Sequence, residues 1–325
     1  MKFGIIGTGA IVEKFLSAAS GLPDFELAAF CSRDLVRARR FSARYGAPLA
    51  FDSLEAMAAS DRVEAVYVAS PTALHCKGSI QMLRGGKHVL CEKAAATNAG
   101  EWAEMRAAAE ESGRVLLEAA RHLFVPALEE VRTRLPLLGR IRRVSLVFDQ
   151  YSSRYDSFKA GIVENAFDPA LSNGALMDIG VYCAELLVAL FGPPERLTAS
   201  CVKLDNGVDG QGVILAGYDG MQAVLSYSKI GDSVEPSAIE GEAGSLLLDH
   251  VASTGAIRLK LRDGREETVL CPEKGGMRRE VEAFLEAAQG KRDLSAYWEY
   301  TRMALELMDE ARRQQNIVFP ADRRA

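Results

Sequence analysis

The first sixteen residues, MKFGIIGTGAIVEKFL, place an apolar stretch, a glycine turn and a helical pattern next to one another. Lys2–Ile6 predicts a short buried strand, and the apolar spacing from Ala10 onward predicts an amphipathic helix. Between them, Gly7 allows a tight turn, and Gly9 lets the backbone approach a pyrophosphate, which the free N–H groups of the helix N terminus attract. The pattern predicts a bound dinucleotide, held at Gly7, Thr8, Gly9, Ala10 and Ile11.

The alternative is a turn that joins a strand to a helix and binds nothing. Val12 favours this alternative, because it occupies the third position of the fingerprint, where glycine or alanine is usual. We nevertheless expect nucleotide binding, since the glycines directly follow a strand and precede a helix.

Composition and charge argue against several classes of protein. The 325 residues suggest about two domains, and 48% hydrophobic with 26% charged residues are ordinary values for a soluble globular protein. A net charge of −5 argues against nucleic acid or an anionic membrane as the main partner, and no run approaches the roughly 20 apolar residues of a membrane span. Because Lys2–Ile6 already reads as a core strand, no signal peptide is expected and the cytoplasm is the expected location. Six scattered cysteines without a CxxC motif predict reduced thiols and no metal site.

Residues 1–119 alternate between short apolar runs and helical patterns. The apolar runs, which suit strands buried on both faces of a parallel sheet, lie at Glu26–Ser32, Glu64–Ser70, His88–Glu92 and Val115–Ala119. The helical patterns between them lie at Asp34–Tyr45, Ser53–Ala59, Thr72–Arg84 and Asn98–Ser112. This alternation predicts a doubly wound α/β Rossmann dinucleotide-binding domain.

The pattern changes from residue 120 onward. A helix at Pro126–Leu135 and an irregular stretch at Asp149–Asn173 precede an apolar helix at Gly174–Leu190. Alternating segments such as RLTASCVKL, GVILAGY and MQAVLSYS then predict an open, mainly antiparallel sheet with helices against one face. Residues 120–325 are therefore predicted to form an α+β domain, with the last helix packing back toward the first domain.

The end of the second predicted strand bears on the choice of cofactor. An NAD site usually has a carboxylate about 20 residues after the glycines, where it binds the ribose 2′-hydroxyl. This chain has Ser32 and Arg33 there, with Arg37 one turn further on, and a hydroxyl with guanidinium groups suits a 2′-phosphate. These residues favour NADP, with NAD possible, and Asp34 is better explained as a helix cap.

Two further strand ends carry candidate site residues. Ser70 and Pro71 open a helix and are expected to border the nicotinamide half of the cofactor. Glu92 and Lys93 end the next strand, where the lysine would project toward the nicotinamide and the glutamate would lie near the ribose. The alternative for Lys93 is an ordinary surface charge before a loop.

The apolar helix at Gly174–Leu190 contains an isolated carboxylate and a phenol. Asp178 and Tyr182 lie four residues apart, which predicts that they share one face of a largely buried helix. A carboxylate in such a helix needs a partner or a chemical role. A buried Asp–Tyr hydrogen bond that only stabilises the core is the alternative.

These features together resemble the glucose-fructose oxidoreductase, inositol dehydrogenase and MocA superfamily. The resemblance covers nearly the whole chain and is carried by the glycine turn and by SPTALHCKGSIQMLRGGKHVLCEK, TNAGEWAEMRAAAEESG, SSRYDSF, NAFDPALSNGALMDIGVYC and MDEARRQQNIVFP. The family's lysine matches Lys93, and its Asp-x-Gly-x-His/Tyr element matches Asp178, Gly180 and Tyr182. The resemblance also implies a place for His75 among the cofactor-binding residues.

The tyrosine resembles the branch that contains dimeric dihydrodiol dehydrogenase and D-xylose dehydrogenase, which mostly uses NADP. The chain departs from the family pattern at three places. Ala94 replaces the proline of Glu-Lys-Pro, Leu123 replaces a usual arginine, and Asn173 replaces a usual glycine. The substrate pocket is therefore expected to differ from that of named relatives.

The leading hypothesis is an NADP-dependent oxidoreductase acting on a sugar, polyol or cyclic diol. Tyr182 would be the general acid/base, Lys93 would favour its phenolate, and Asp178 would hold Lys93 or the substrate in register. A non-catalytic nucleotide-binding sensor or inactive paralogue is the alternative.

The strands of the second domain also predict an assembly. RLTASCVKL and MQAVLSYS are expected to leave Leu, Val, Met and Tyr side chains on an outer sheet face, which would favour a homodimer formed through this sheet. A shift of one residue in strand phase would reverse those faces.

Overall fold

The computed structural model describes residues 1–272 and 276–323, which divide into two units. The first unit contains residues 1–119 together with Met277–Arg302, and the second contains Ala120–Gly276 together with the residues from Met303 onward. The first unit thus includes the helix that follows residue 276 and the start of the last long helix.

The first unit is built on six parallel strands in the order β3-β2-β1-β4-β5-β6. Its elements up to residue 119 are, in chain order, β1 (Lys2–Ile6), α1 (Ala10–Ala19), β2 (Glu26–Cys31), α2 (Leu35–Tyr45), β3 (Leu49–Phe51), α3 (Leu54–Ala59), β4 (Ala65–Val68), α4 (His75–Arg84), β5 (His88–Glu92), α5 (Ala99–Ser112) and β6 (Leu116–Ala119). This order confirms the predicted Rossmann fold.

Local signals in the sequence explain where these helices begin and end. Asp34, Ser53 and Asn98 accept hydrogen bonds from backbone N–H groups in the first turns of α2, α3 and α5. Gly46 and Gly113 end α2 and α5 in the left-handed conformation that glycine adopts most easily. The prediction omitted β3, because a three-residue, half-buried strand carries almost no pattern.

The second unit contains an eight-stranded sheet in the order β14-β13-β12-β11-β7-β10-β9-β8. Its elements are α6 (Pro126–Arg134), β7 (Ile141–Asp149), α7 (Ser153–Lys159), α8 (Val181–Phe191), β8 (Arg196–Lys203), β9 (Asp209–Tyr218), β10 (Met221–Ser228), β11 (Ser237–Gly241), β12 (Gly244–Leu248), β13 (Ala256–Leu261) and β14 (Glu266–Leu270). All neighbouring strands pair antiparallel except β7 and β10. The predicted mainly antiparallel sheet is confirmed.

The last two long helices are α9 (Met277–Ala288) and α10 (Ser295–Gln314). Within the first unit, Phe284 of α9 packs against Phe3 of β1, with ring centroids 5.8 Å apart. At the start of α10, the Trp298 indole donates to the Leu116 carbonyl at 2.6 Å, and the Thr301 hydroxyl donates to Glu118 at 2.7 Å. These contacts attach both helices to the parallel sheet.

The apolar stretch expected as one regular helix differs from the prediction. A π-helical turn, Leu176–Gly180, precedes α8, and the Leu176 N–H donates to the buried Asp209 carboxylate at 2.6 Å.

Among the described residues, one helical stretch, Pro169–Phe191, is long and apolar enough for a membrane span, which the sequence analysis did not expect. Of its most apolar window, 72% is buried inside the protein, as in a core helix. The stretch predicted as irregular, 149–173, contains α7.

The structure corrects the predicted outer face of the second sheet. Met221, Leu225 and Tyr227 of β10 are buried on the inner face, which α8 covers. The predicted phase was therefore wrong for most large side chains of β10. Among the described residues, the large exposed apolar side chains of this sheet are Val202 of β8, Val213 and Leu215 of β9, and Leu270 of the edge strand β14.

Asp209 gives the second unit a pH-dependent stability. Burial raises the pKa of this carboxyl from 3.8 to about 6, against the opposing effects of the Leu176 N–H, Lys229 and Arg312. Because the raised pKa means that the folded state favours the protonated form, Asp209 contributes most stability below pH 3.8, and this contribution falls as the pH rises to about 6.

We predict that Asp209→Asn removes this pH dependence, since an amide oxygen can still accept the Leu176 N–H but does not ionise. Relative to the variant, the wild-type protein should lose about 2 kcal/mol of unfolding free energy between pH 4 and pH 7. Urea denaturation across this range measures the difference, with Asp205→Asn, an exposed carboxylate nearby, as the control. Parallel pH profiles for wild type and Asp209→Asn would contradict the prediction.

Candidate functional site

The turn after β1 has a conformation that only glycine accommodates. Gly7 has a φ of +123°, and a Cβ at this position would overlap the carbonyl oxygen of Ala69, which follows β4. The backbone therefore turns at Gly7 because the neighbouring strand lies against it.

The N terminus of α1 is open. Gly9 is its N-cap residue, and no side chain of the described residues caps it. A Cβ added at Gly9 would meet no described atom within 4 Å, so space remains beside the backbone N–H groups of the first turn. Val12 is fully buried one turn further on, so the helix packs with valine at the third fingerprint position.

Asp34, which follows β2, is a helix cap, as the sequence predicted. Its carboxylate accepts the N–H groups of Val36 at 2.9 Å and Arg37 at 3.3 Å, and thus caps α2. The side chains of Arg33 and Arg37 are exposed. The guanidinium groups of Arg33 and Arg37 therefore remain available at this strand end, whereas the Asp34 carboxylate is hydrogen-bonded to the backbone of α2.

The end of β4 contains a buried hydroxyl that lacks a partner. The Oγ of Ser70 has no hydrogen-bond partner among the described residues. The next residue, Pro71, is half-buried. A bound molecule at this edge could satisfy the hydroxyl, since buried polar groups are nearly always paired.

His75 is buried in the interior of the first unit, with a side chain that contacts two backbone carbonyls. Its Nε2 lies 2.7 Å from the Ser70 oxygen, and its Nδ1 lies 2.9 Å from the Ala94 oxygen. Burial lowers the pKa of His75. The ring therefore fixes the loops after β4 and β5, so it shapes the edge where the cofactor was predicted to bind.

Glu92 and Lys93 lie at the end of β5. The Glu92 carboxylate is buried and accepts a hydrogen bond from the Tyr67 hydroxyl of β4. Burial, followed by the charge of Glu92, raises the pKa of Tyr67 well above its ordinary value, so this phenol remains a donor. Lys93 is half-buried, and the peptide bond between Lys93 and Ala94 is cis.

These positions lie at one edge of the sheet, because β2, β1, β4 and β5 are adjacent and parallel. The predicted residues at this edge are Gly7, Thr8, Gly9, Ala10, Ile11, Ser32, Arg33, Arg37, Ser70, Pro71, Glu92 and Lys93. An open helix N terminus and free space beside Gly9 suit a pyrophosphate, and a bound molecule could pair with the Ser70 hydroxyl, which has no partner among the described residues. The residues therefore fit a nicotinamide dinucleotide.

In the second unit, Asp178 lies in the π-helical turn and forms an ion pair with Lys229. The lysine side chain is only 3% exposed, whereas that of Asp178 is 29% exposed. The Lys229 ammonium also donates to the Ala166 oxygen at 3.3 Å and lies 4.8 Å from the centre of the Phe167 ring. Lys229 is therefore a partner of the kind that Asp178 was predicted to need.

Lys229 was not identified from the sequence. It follows directly after the apolar strand β10, a position where a lysine could have been noticed in the same way as Lys93 after β5. It lies 51 residues from Asp178, so no local spacing links the two.

Tyr182 lies on α8, is 7% exposed, and packs between the rings of two side chains from other elements. The centre of its ring lies 4.9 Å from that of His122, at an interplanar angle of 62°, and 5.5 Å from that of Phe148. Asp178 lies in the π-helical turn and Tyr182 in the first turn of α8, so the two residues belong to different kinds of helix rather than to the one regular helix predicted.

Comparison with known proteins agrees with this description. Residues 1–120 match the family model described as "Oxidoreductase family, NAD-binding Rossmann fold", and residues 136–247 match "GFO/IDH/MocA C-terminal domain". The chain is 43% identical to "scyllo-inositol 2-dehydrogenase (NADP(+)) IolU" of Bacillus subtilis over 99% of both proteins. It is 33% identical to "Trans-1,2-dihydrobenzene-1,2-diol dehydrogenase" of Xenopus laevis over 75% of this chain and 73% of that one.

Among solved structures, the 3-ketoreductase KijD10 of Actinomadura kijaniata in complex with NADP and TDP-benzene has a similar fold. Its TM-score is 0.86 at 26% identity, over 97% of each chain. The two matching domains and the relatives of nearly equal length settle the family. The chain therefore belongs to the GFO/IDH/MocA family and is a nicotinamide-dependent oxidoreductase acting on CH–OH groups.

Proposed function

We propose that this protein is an NADP-dependent oxidoreductase that transfers a hydride between the nicotinamide and a sugar, polyol or cyclic diol. In this proposal Tyr182 is the acid/base and Lys93 assists it. The observation that carries the cofactor assignment is the open N terminus of α1 behind Gly7 and Gly9, with two exposed arginines at the end of β2.

The residues of the first unit have distinct tasks in holding NADP. Backbone N–H groups from Gly9 to Ile11 bind the pyrophosphate, because they point outward from an uncapped helix N terminus. Ser32, Arg33 and Arg37 bind the 2′-phosphate. NADP also appears in the names of the IolU relative and of the KijD10 complexes, which supports this choice over NAD.

The bound nicotinamide supplies or accepts the hydride. The protein must then move one proton at the substrate oxygen, and the phenol of Tyr182 gives or takes it. A free tyrosine has a pKa of about 10, so a cation that favours the phenolate makes this transfer easier near neutral pH. Lys93 has this role in the proposal, and variants of KijD10 with a replaced lysine or tyrosine have been solved with NADP.

Asp178 contributes a fixed negative charge. Its ion pair with buried Lys229 holds the carboxylate in one position while leaving 29% of the side chain exposed. A carboxylate held in this way can accept a hydrogen bond from a substrate hydroxyl, which suits a molecule with several adjacent hydroxyls.

The substrate class follows from these groups and from the relatives. The names of the two relatives specify scyllo-inositol and trans-1,2-dihydrobenzene-1,2-diol, which are both rings with neighbouring hydroxyls. A cyclic polyol or diol is therefore the first class to test, followed by sugars. The six cysteines form no disulfide and five are buried, which suits the reducing cytoplasm that we propose as the location.

We also propose that the protein forms a homodimer through the outer face of the second unit's sheet. Val202, Val213 and Leu215 remain 43–49% exposed there. Adjacent apolar side chains on an open sheet face favour association with a second copy.

Substitution at the glycine turn tests nucleotide binding separately from folding. Gly9→Val fills the space beside the helix N terminus, so we predict that it weakens NADP(H) binding at least about tenfold while lowering the unfolding free energy by no more than about 1 kcal/mol. Gly7→Ala should instead destabilise the fold, since its Cβ would overlap the Ala69 oxygen. Calorimetric titration and urea denaturation give the two quantities. Unchanged affinity in Gly9→Val would contradict the proposed pyrophosphate site.

The cofactor preference depends on the exposed arginines. We predict that NADP(H) binds at least about tenfold more tightly than NAD(H), and that Arg33→Ala removes most of this difference because a 2′-phosphate contact is lost. Arg39→Ala, which removes another exposed arginine of α2, is the matched control. Equal dissociation constants for the two nucleotides in the wild-type protein would refute the assignment.

The catalytic roles are tested by removing the proton-carrying groups. Tyr182→Phe and Lys93→Met should each reduce turnover at least about 10²-fold while leaving the dissociation constant for NADPH nearly unchanged. Tyr218→Phe, which removes a hydroxyl bound to the Gly192 oxygen, is the control and should keep most of the activity. Near-normal turnover in Tyr182→Phe would transfer the acid/base role to another group, with Lys93 the first candidate.

The proposed dimer is tested by light scattering on the purified protein. One chain has a mass of 35.3 kDa, so twice this mass at micromolar concentration is expected. Leu215→Glu should shift the mass toward the monomer, because it puts a charge into the apolar contact. A wild-type mass near that of one chain would refute the dimer.

A further inference from the structure

Three strands of the second sheet end at the same edge. β7 and β10 pair parallel, and β12 runs in the same direction as β7 because both pair antiparallel with β11. The last buried side chains on the inner face of these strands are those of Phe148, Tyr227 and Leu248. Since side chains alternate between the two faces of a strand, Lys229 and His250, each two residues further along, are expected on the same face.

Contacts at this edge link its residues to the groups of the proposed reaction. Lys229 forms the ion pair with Asp178, and the Phe148 ring lies 5.5 Å from that of Tyr182 between centres. The His250 ring packs edge-on to the Phe148 ring, with centres 4.7 Å apart at an interplanar angle of 74°. Phe148 therefore contacts both His250 and Tyr182.

The backbone determines which nitrogen of His250 carries the hydrogen. Its Nδ1 accepts the Ala252 N–H at 3.0 Å, so the hydrogen of the neutral ring is on Nε2. Burial lowers the pKa of His250, an effect that the charge of Asp249 opposes and that of Arg121 reinforces. The ring is therefore mainly neutral at pH 7.

The Nε2–H of His250 is available to a ligand. It makes no hydrogen bond to a described residue, and the side chain is half-buried rather than enclosed. A neutral donor of this kind suits an uncharged oxygen such as that of a hydroxyl, which has lone pairs to accept it. The tautomer and the position beside Phe148 thus point to a polar contact with the substrate.

We propose that His250 binds the substrate by donating a hydrogen bond from Nε2 to a hydroxyl other than the reacting one. The inference rests on the proposed function, because it takes Tyr182 as the group at the reacting oxygen. A cyclic polyol or diol carries hydroxyls on neighbouring carbons, so one hydroxyl reacts while another is held by the imidazole. His250 is then a specificity-determining residue that transfers no proton.

The test is a calorimetric titration of scyllo-inositol into the protein saturated with NADPH. No hydride is transferred in this complex, because the nicotinamide is already reduced and the ligand is an alcohol, so affinity is measured apart from turnover. His250→Asn keeps an oxygen that can accept the Ala252 N–H but is too short to replace Nε2. It should raise the dissociation constant of scyllo-inositol about tenfold, as the loss of one hydrogen bond predicts, and leave that of NADPH unchanged.

Two further variants separate the hydrogen bond from effects on the loop. His250→Gln puts an amide N–H near the position of Nε2 and should recover most of the wild-type affinity. His88→Asn is the matched control, because the Nδ1 of half-buried His88 likewise accepts a backbone N–H, that of Val115, at 3.0 Å in the first unit. It should leave the affinity for scyllo-inositol unchanged.

Nuclear magnetic resonance of ¹⁵N-labelled histidine tests the wild-type protein directly, so it also decides the question if His250→Asn does not fold. The chain has four histidines, and the spectrum at pH 7 should show His250 with its hydrogen on Nε2. Adding scyllo-inositol to the NADPH complex should shift this resonance and leave that of His88 in place. Hydrogen on Nδ1, or an unshifted His250 resonance with the polyol bound, would overturn the inference.

The outcomes distinguish this inference from the proposed function. Wild-type affinity in folded His250→Asn, or no binding of scyllo-inositol to the wild-type complex, overturns the role of His250. If Tyr182→Phe also abolishes turnover, the acid/base assignment remains. If His250→Asn weakens binding and His250→Gln restores it while Tyr182→Phe keeps its turnover, the acid/base assignment fails and the role of His250 remains.

Discussion

The close approach of Gly7 to the Ala69 carbonyl determines the course of the turn between β1 and α1, where we propose that the nucleotide binds. The contact exists because β1 and β4 are neighbouring parallel strands, so the end of one presses against the turn that leaves the other. Among the described residues, no side chain caps α1 where it begins after Gly9, so its first N–H groups remain open. An open helix N terminus thus results from strand order and two glycines, and it is where we propose that the pyrophosphate binds.

In the second unit, buried charged side chains fix the conformation of the segment around Asp178. Lys229 is held by Asp178, the Ala166 carbonyl and the Phe167 ring, while Asp209 binds the N–H that begins the π-helical turn. These groups cost free energy to bury, so each is retained with partners close by. The result is a short segment around Asp178 that is fixed by polar contacts rather than by apolar packing alone, as the role proposed for Asp178 requires.

The sequence predicted those features of the fold that depend on interactions between residues close together in the chain. The caps at Asp34 and Asn98, the parallel strands and the glycine turn were all identified, since each depends on residues close in the chain. The π-helical turn was not identified, because an apolar π-helix and an apolar α-helix have the same kind of composition. Lys229 was missed as the partner of Asp178 because tertiary structure alone brings them together. The faces of β10 were reversed because a shift of one residue in phase moves Met221 and Tyr227 from one side to the other.

The central claim is that this enzyme oxidises a ring hydroxyl with NADP rather than only binding the nucleotide. Steady-state turnover tests it most directly, with scyllo-inositol, trans-dihydrodiols and a set of aldoses, and with NADP or NAD as oxidant. The account predicts reduction of NADP by at least one cyclic polyol or diol, at a kcat/KM well above that with NAD. Tight binding of NADPH without turnover of any substrate in either direction would contradict it and favour a nucleotide-binding sensor.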